Sequence, residues 1–360
     1  MAEEVWMLQT KKADFKQIGA RFRIDPVTAR IIRNRGIEGE AAIDRYLNGT
    51  LDDLYDPMLL KDMERAVSIL CEAVDTGKKI RIVGDYDIDG VCSTYILLQA
   101  FERLGSDVDF EIPDRIKDGY GINESIIEQA HADGVEVILT CDNGISAFHQ
   151  VELAKKYGMT VVITDHHEVP LDGEKEKIPP ADAVIDPKQA DCPYPFPEIC
   201  GAVVAYKLVQ VLYARRGVPQ MEWLDLLEFA AIATVGDVMK LQDENRILVK
   251  YGLKKMAQTK NLGLRRLAEK NNLDLGAITA LGWMDGPISV IQSFSAADAC
   301  GTNTYNAIAG GLFGKYDSAK LVLSNCYTTG SVKAAGTSMF LGHYIGQLNN
   351  TWWWGPVSLS

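Results

Sequence analysis

Three carboxylates alternate in Gly84-Asp85-Tyr86-Asp87-Ile88-Asp89-Gly90. Alternation in an extended or turning backbone lets two or three of them converge on one point. Carboxylates that close repel unless a cation neutralises them, so a hard divalent metal is the natural resident. Asp85-x-Asp87-x-Asp89-Gly90 also opens a calcium-binding EF-hand loop, but the twelfth position is Ile96 where that loop needs Glu, and a strand precedes it where a helix should. Two further acidic sites follow apolar runs: Asp142-Asn143-Gly144 after VEVILTC, and Asp165-His166-His167 after MTVVIT. Gly236-Asp237 ends the run FAAIATVGD and taken alone is a weak signal. Together they supply several Asp and two His, a donor set suited to two Mn²⁺ or Mg²⁺ ions sharing a carboxylate about 3.5–4 Å apart. Cys92 and Cys141 lie beside these residues without thiolate–metal spacing and read as packing residues.

The elements that must position these residues are α/β. KKIRIVG, VDFEIP, VEVILTC, MTVVITD and ADAVID read as five strands, separated by the helical stretches VCSTYILLQAFERLG, GINESIIEQAHADG and SAFHQVELAKKYG. That alternation predicts a parallel five-stranded sheet with helices on both faces. The acidic motifs then fall at carboxyl ends of strands, where open α/β sheets bind ligands. Residues 1–70 read as a helical lead-in, with Asp25 capping a helix that starts at Pro26. The sheet domain is expected over 71–242 and basic connecting helices over 243–280, with a long helix broken near Gly263. Arg246, Lys250, Lys254, Lys255, Lys260, Arg265 and Arg266 form either a solvated helix face or a phosphate-contacting surface.

Composition bounds the function. With 360 residues, 47% of them hydrophobic and 24% charged, the chain is an ordinary globular one. Neither an apolar run of roughly 18–20 residues nor a signal-peptide core is evident, so no membrane partner is expected. Seven scattered cysteines without a CxxC fit reduced thiols and a cytoplasmic location. A net charge of −12 is unlike that of a simple electrostatic DNA binder, although metal-binding carboxylates contribute to it.

The motifs GDYDIDG, DNG, DHH and GD, in this order, resemble those of the DHH phosphoesterase superfamily. DRIKDGYGIN, IDPKQADCPYPFPEICGAVVAYKL, ATVGDVMKLQDENRILVKYGL and the lead-in RGIEGEAAIDRYLNGTLDDLYDPMLLKDMERAV narrow the likeness, over about 20–280, to the RecJ-type exonucleases specific for single strands. The resemblance implies a 5′→3′ exonuclease in DNA repair and recombination. Its implied partners are single-stranded DNA and a single-strand-binding protein or helicase. It implies that Asp85 and Asp87 hold one ion, that Asp142 bridges, and that Asp89, His166 and Asp237 complete the second site. Pyrophosphatase-type members use a histidine upstream where Asp85 stands in here. His167 would face the scissile phosphate as a hydrogen-bond donor or general acid, and Arg115 would clamp a phosphate oxygen.

Beyond about Ala280 the likeness stops. Residues 282–360 hold six charges, no Glu or Arg, eleven of the 31 glycines and four of the six tryptophans. Neither helical nor strand periodicity is clear. The family's glycine–histidine substrate motif has no counterpart, Gly342-His343 being the nearest match. The 281–360 segment is therefore expected to be a replaced or truncated C-terminal domain. This leaves two alternatives: a phosphodiesterase for short oligonucleotides or cyclic dinucleotides, and a RecJ-like fragment with little DNA binding.

Overall fold

The computed structural model describes residues 11–114 and 121–270, and beyond these the backbone of nine short strands between 288 and 358. The chain divides into two units, Met1–Gly252 and Leu253–Ser360.

The first unit opens with three short helices, α1 (Phe15–Phe22), α2 (Pro26–Asn34) and α3 (Glu40–Asn48). Asp25 accepts a hydrogen bond from the Val27 amide at 2.7 Å, and Pro26 supplies the first helical residue, as the sequence predicts. Ile32, Ile37, Ile43 and Tyr46 make a small core of their own. Helix α4 (Met63–Thr76) leads into β1 (Ile80–Val83), α5 (Ile88–Arg103), β2 (Val108–Glu111), α6 (Glu124–Ala132), β3 (Val137–Cys141), α7 (Phe148–Lys156) and β4 (Thr160–Thr164). A two-residue hairpin, β5 (Leu171–Asp172) and β6 (Lys175–Glu176), sits in the polar DGEKEK stretch and precedes β7 (Ala183–Ile185).

Five strands pair in the order β2-β1-β3-β4-β7, all parallel. β1, β3 and β7 are buried throughout and β4 nearly so, which is why they read as continuous apolar runs rather than alternating ones. Val83, Ile138, Val161, Ile163 and Val184 pack with Ile126, Ile127, Ala130, Val151 and Ala154 of α6 and α7 on one face. Helices α5 and α8 (Gly201–Arg215) contact β1, β3 and β4 as well as each other. The chain runs from β1 outward to β2, then returns to place β3 on β1's other side. This reversal makes the carboxyl ends of β1 and β3 a topological switch point.

Helices α9 (Gln220–Leu224), α10 (Leu227–Gly236) and α11 (Asp243–Met256) follow. Arg246 Nε donates to the Tyr46 carbonyl at 2.6 Å and Lys250 Nζ to the Gly49 carbonyl at 3.2 Å. These two basic residues are thus engaged with the lead-in helix α3. Lys207 of α8 and Glu244 of α11 form an ion pair at 3.1 Å with 1% and 0% exposure, and Lys207 also donates to the Tyr55 carbonyl at 3.1 Å. Lys207→Ala would leave the Glu244 carboxylate buried and uncompensated. A loss of about 3–5 kcal/mol is expected, read as a fall of roughly 6–20 °C in melting temperature; an unchanged melt would contradict this bracing role.

The helix break expected near Gly263 spans residues 257–261, between α11 and the next helix. Asn261 accepts from the Leu264 amide at 2.9 Å and so starts α12 (Leu262–Lys270), with Gly263 already inside it. Within 281–360 the described residues are strands. Three passes of the chain, 288–300, 321–333 and 346–358, each give one strand to each of three parallel three-stranded sheets, the middle pass central in all three. Strands of two to four residues are too short for alternation to register in the sequence.

Candidate metal centre

The carboxyl ends of β1, β3 and β4 meet the N-termini of α5 and α8. Asp87 is the N-cap of α5, its Oδ1 accepting from the Asp89 and Gly90 amides at 2.9 Å each. The helix therefore begins at Ile88, earlier than the VCSTY pattern predicts, and Asp89 lies in its first turn. Asp89 is buried and accepts from the amides of Gly201 and Ala202, at 2.6 and 2.7 Å. The positive end of α8 thus holds this carboxylate in place. Gly90 lets the turn close, since a Cβ there would come within 2.4 Å of the Asp85 carbonyl oxygen.

Asp142 follows β3 with φ of 62°, a left-handed conformation that Asp tolerates better than most residues. Gly201 allows its approach: a Cβ there would lie 2.7 Å from the Asp142 Cβ. Asn143 latches the segment, donating to the carbonyls of Val83 at 3.1 Å and Cys141 at 3.0 Å and accepting from the Ile122 amide at 3.3 Å. The neighbouring Gly121 amide donates to Asp85 at 3.4 Å. Asn143→Ala would free both strand ends and is expected to weaken Mn²⁺ binding by roughly 10- to 100-fold, measured by calorimetric titration.

His166 Nε2 stands 3.0 Å from Asp142 Oδ1, 3.4 Å from Asp89 Oδ2 and 3.9 Å from Asp237 Oδ2. His167 engages Asp165 instead, with Nδ1 2.7 Å from Asp165 Oδ1. Asp165, fully buried, also accepts from the amides of Ile145 at 2.8 Å and His166 at 2.7 Å. The His167 hydrogen bond and charge, with these amides, hold its carboxyl below the usual range despite burial. In return, Asp165 raises the His167 imidazole.

Donor atoms of Asp85, Asp87 and Asp142 lie within 4.8 Å of one another, as do those of Asp89, His166 and Asp237, and those of Asp142, His166 and His167. Among the described residues, Asp85 Oδ2 is buried without a hydrogen-bond partner. Asp142 is pushed up to about 12, by burial first and then by Asp89, Asp87 and Asp165. Asp237 is raised as well, by burial and then Asp89. Buried carboxylates crowded in this way, one with an orphaned oxygen, match the donor set of hard divalent cations, which would relieve both the repulsion and the missing bond.

Asp85, Asp87, Asp89, Asp142, His166, His167 and Asp237 therefore converge at one place, whereas Arg115 lies outside the described residues. Cys141 and Cys92 are buried, and burial raises both thiols, Cys92 to about 12, in keeping with packing roles. Sequence reasoning missed Asn143 and Asp186. Asp186 closes β7 as the other acids close their strands, and that placement was the available signal. It is buried, one oxygen lacks a partner, and burial followed by Asp165 raises it to about 7.

Residues 79–234 match the DHH family, N-terminal domain. The single-stranded-DNA-specific exonuclease RecJ of Bacillus subtilis is 37% identical over 272 residues, covering 75% of this chain and 33% of that protein. RecJ of Haemophilus influenzae is 37% identical over 281 residues, covering 75% and 47%. The chain thus spans between a third and a half of the length of these relatives. The crystal structure of Thermus thermophilus RecJ in complex with Mn²⁺ aligns with TM-score 0.59 at 30% identity, over 72% of this chain and 36% of that one. A second, of exonuclease RecJ bound to manganese, gives 0.53 at 35% identity, over 59% and 52%. Motifs, sheet order and these similarities agree: residues 79–234 belong to the DHH family, and over about three quarters of its length the chain is similar to RecJ.

Proposed function

We propose that this chain is a metal-dependent phosphodiesterase that releases mononucleotides from the 5′ end of single-stranded DNA, in repair and recombination. The observation that carries the reading is the pair of donor groups, Asp85–Asp87–Asp142 and Asp89–His166–Asp237, at one switch point. Each would hold one divalent cation, Mn²⁺ or Mg²⁺, with Asp142 shared between them. When bound, the pair acidifies a water and neutralises charge on the phosphoryl oxygens.

The protein's own contribution is placement and proton supply. The α8 amides fix Asp89, and the Asn143 latch fixes Asp142 against β1. His167 has Nδ1 committed to Asp165, and Nε2 would be the nitrogen that acts on substrate. Because Asp165 favours the imidazolium, that Nε2 carries a proton for the 3′-oxygen of the departing nucleotide. Arg115 would grip a phosphate oxygen. Single-strand-binding protein or a helicase would supply the strand. The buried free thiols Cys71, Cys92, Cys141 and Cys200 suit the reducing cytoplasm. No helix among the described residues is long and apolar enough to cross a membrane.

The test is mononucleotide release from 5′-labelled single-stranded and duplex DNA with Mn²⁺ or Mg²⁺. Release from the single strand alone is expected. Hydrolysis confined to dinucleotides, or equal attack on duplex, would overturn the assignment.

A further inference from the structure

Helix α10 ends beside the metal centre in a turn that its sequence makes unfavourable. The Asp237 amide donates to the Ala233 carbonyl at 2.8 Å, Val238 to Val235 at 3.2 Å and Met239 to Thr234 at 3.1 Å. This closing pattern places a left-handed residue directly after the helix, a position that glycine normally fills. Here it is Val238, with φ of 56°. A β-branched side chain is among the poorest choices for that conformation. Nor is it recompensed by packing, because Val238 is 87% exposed.

Two more exposed aliphatic residues flank the same carboxylates. Ile88, between Asp87 and Asp89, is 42% exposed, and Val91, one helical turn on, is 44% exposed. Ile88 reaches the α10 terminus: a Cβ at Gly236 would meet its Cγ2 at 2.5 Å. Gly236, two residues before Val238, therefore adjoins Ile88, so the turn that carries Asp87 and Asp89 borders the helix end that carries Asp237. Strain held at a functional site without a packing reward points to a contact made outside the chain.

We propose that Val238, with Ile88 and Val91, forms an apolar lip that receives the nucleobase next to the scissile phosphate, and that it is a specificity-determining contact. The inference rests on the function proposed above. A base withdrawn from its stack presents an apolar face, and any base can use such a lip, which suits a nuclease that must accept every sequence. A metal centre alone grips phosphate and is indifferent to the base. The lip would make the enzyme sense that a base is present without reading which one.

The experiment compares the full chain with Val238→Gly and Val238→Ile on two single-stranded oligonucleotides, one intact and one abasic at its first two 5′ nucleotides. The steady-state constants, the Mn²⁺ dissociation constant and the melting temperature are measured for each. For Val238→Gly, KM on the intact strand should rise roughly 10-fold, while kcat and Mn²⁺ affinity stay within about twofold. The KM advantage of intact over abasic DNA should disappear, the melting temperature should hold or rise, and Val238→Ile should restore KM. Val91→Ser, on the other half of the lip, should reproduce the KM effect. An unchanged KM in Val238→Gly would overturn the lip. So would a joint fall in kcat and Mn²⁺ affinity, which would mean that the turn merely positions Asp237. If the unmodified chain releases nothing from either strand, the function reading itself has failed, and the lip with it.

Discussion

Replacing Asp142 with asparagine should abolish DNA hydrolysis while stabilising the metal-free protein. A loss on the order of a thousandfold or more is expected, because Asp142 belongs to the Asp85–Asp87 group and its Oδ1 also lies 3.0 Å from His166 Nε2 of the second group. The stability effect has the opposite sign. Without a cation, Asp142 is buried among Asp89, Asp87 and Asp165, which together with burial raise its pKa far above that of an exposed carboxylate. From about pH 4 upward the unfolded residue has lost its proton, while the native, metal-free residue keeps it. The native state then binds more protons, so its stability declines as pH rises through and beyond that point. Asparagine carries no such penalty. The metal-free Asp142→Asn protein should therefore melt higher than the parent at pH 7–8 and show a shallower decline with pH. Mn²⁺ should raise the parent's melting temperature by mass action and leave the variant nearly unmoved. A variant that keeps both hydrolysis and the Mn²⁺-dependent rise would contradict the shared-ligand role.

His167→Gln should separate chemistry from metal binding. Nδ1 of His167 is held by Asp165, so the ring is oriented without being needed as a ligand in either proposed ion site. A fall in kcat of roughly 10²- to 10⁴-fold is expected, with Mn²⁺ affinity within a few-fold of the parent. The pH profile gives a second check. The hydrogen bond that His167 donates to Asp165 is the largest cause of the raised His167 pKa. As the proton donor, His167 should set the limb on which activity declines with rising pH. Weakening its partner by Asp165→Asn should move that limb to lower pH. A profile that stays in place, or a His167→Gln protein that loses its metal, would assign the ring a different task.

Much of this centre is legible in the sequence, for a physical reason. β1, β3 and β4 are buried on both faces, so each reads as an apolar run, and the first charge after each run marks its exit. Asp85, Asp142 and Asp165 stand at those exits. What joins them was not legible. The amides that hold Asp89 come from Gly201 and Ala202, 112 and 113 positions away, where backbone groups leave no trace in the residue type. The part played by Asn143 was not legible because its side chain acts on backbone groups, among them the Val83 carbonyl brought in by β1. The start of α5 was misplaced because Asp87 serves as the cap, a role hidden by its reading as a metal ligand. Between α11 and α12 the break expected near Gly263 is present, and the Asn261 side chain, which caps the second helix, is what the sequence did not single out.

The most direct test of the central claim is a crystal of the full chain equilibrated with Mn²⁺ and measured at the manganese absorption edge. Two anomalous peaks about 3.5–4 Å apart are expected. One should be bounded by Asp85, Asp87 and Asp142, the other by Asp89, His166 and Asp237, with Asp142 touching both. A single peak, or peaks away from the carboxyl ends of β1, β3 and β4, would contradict the two-ion account.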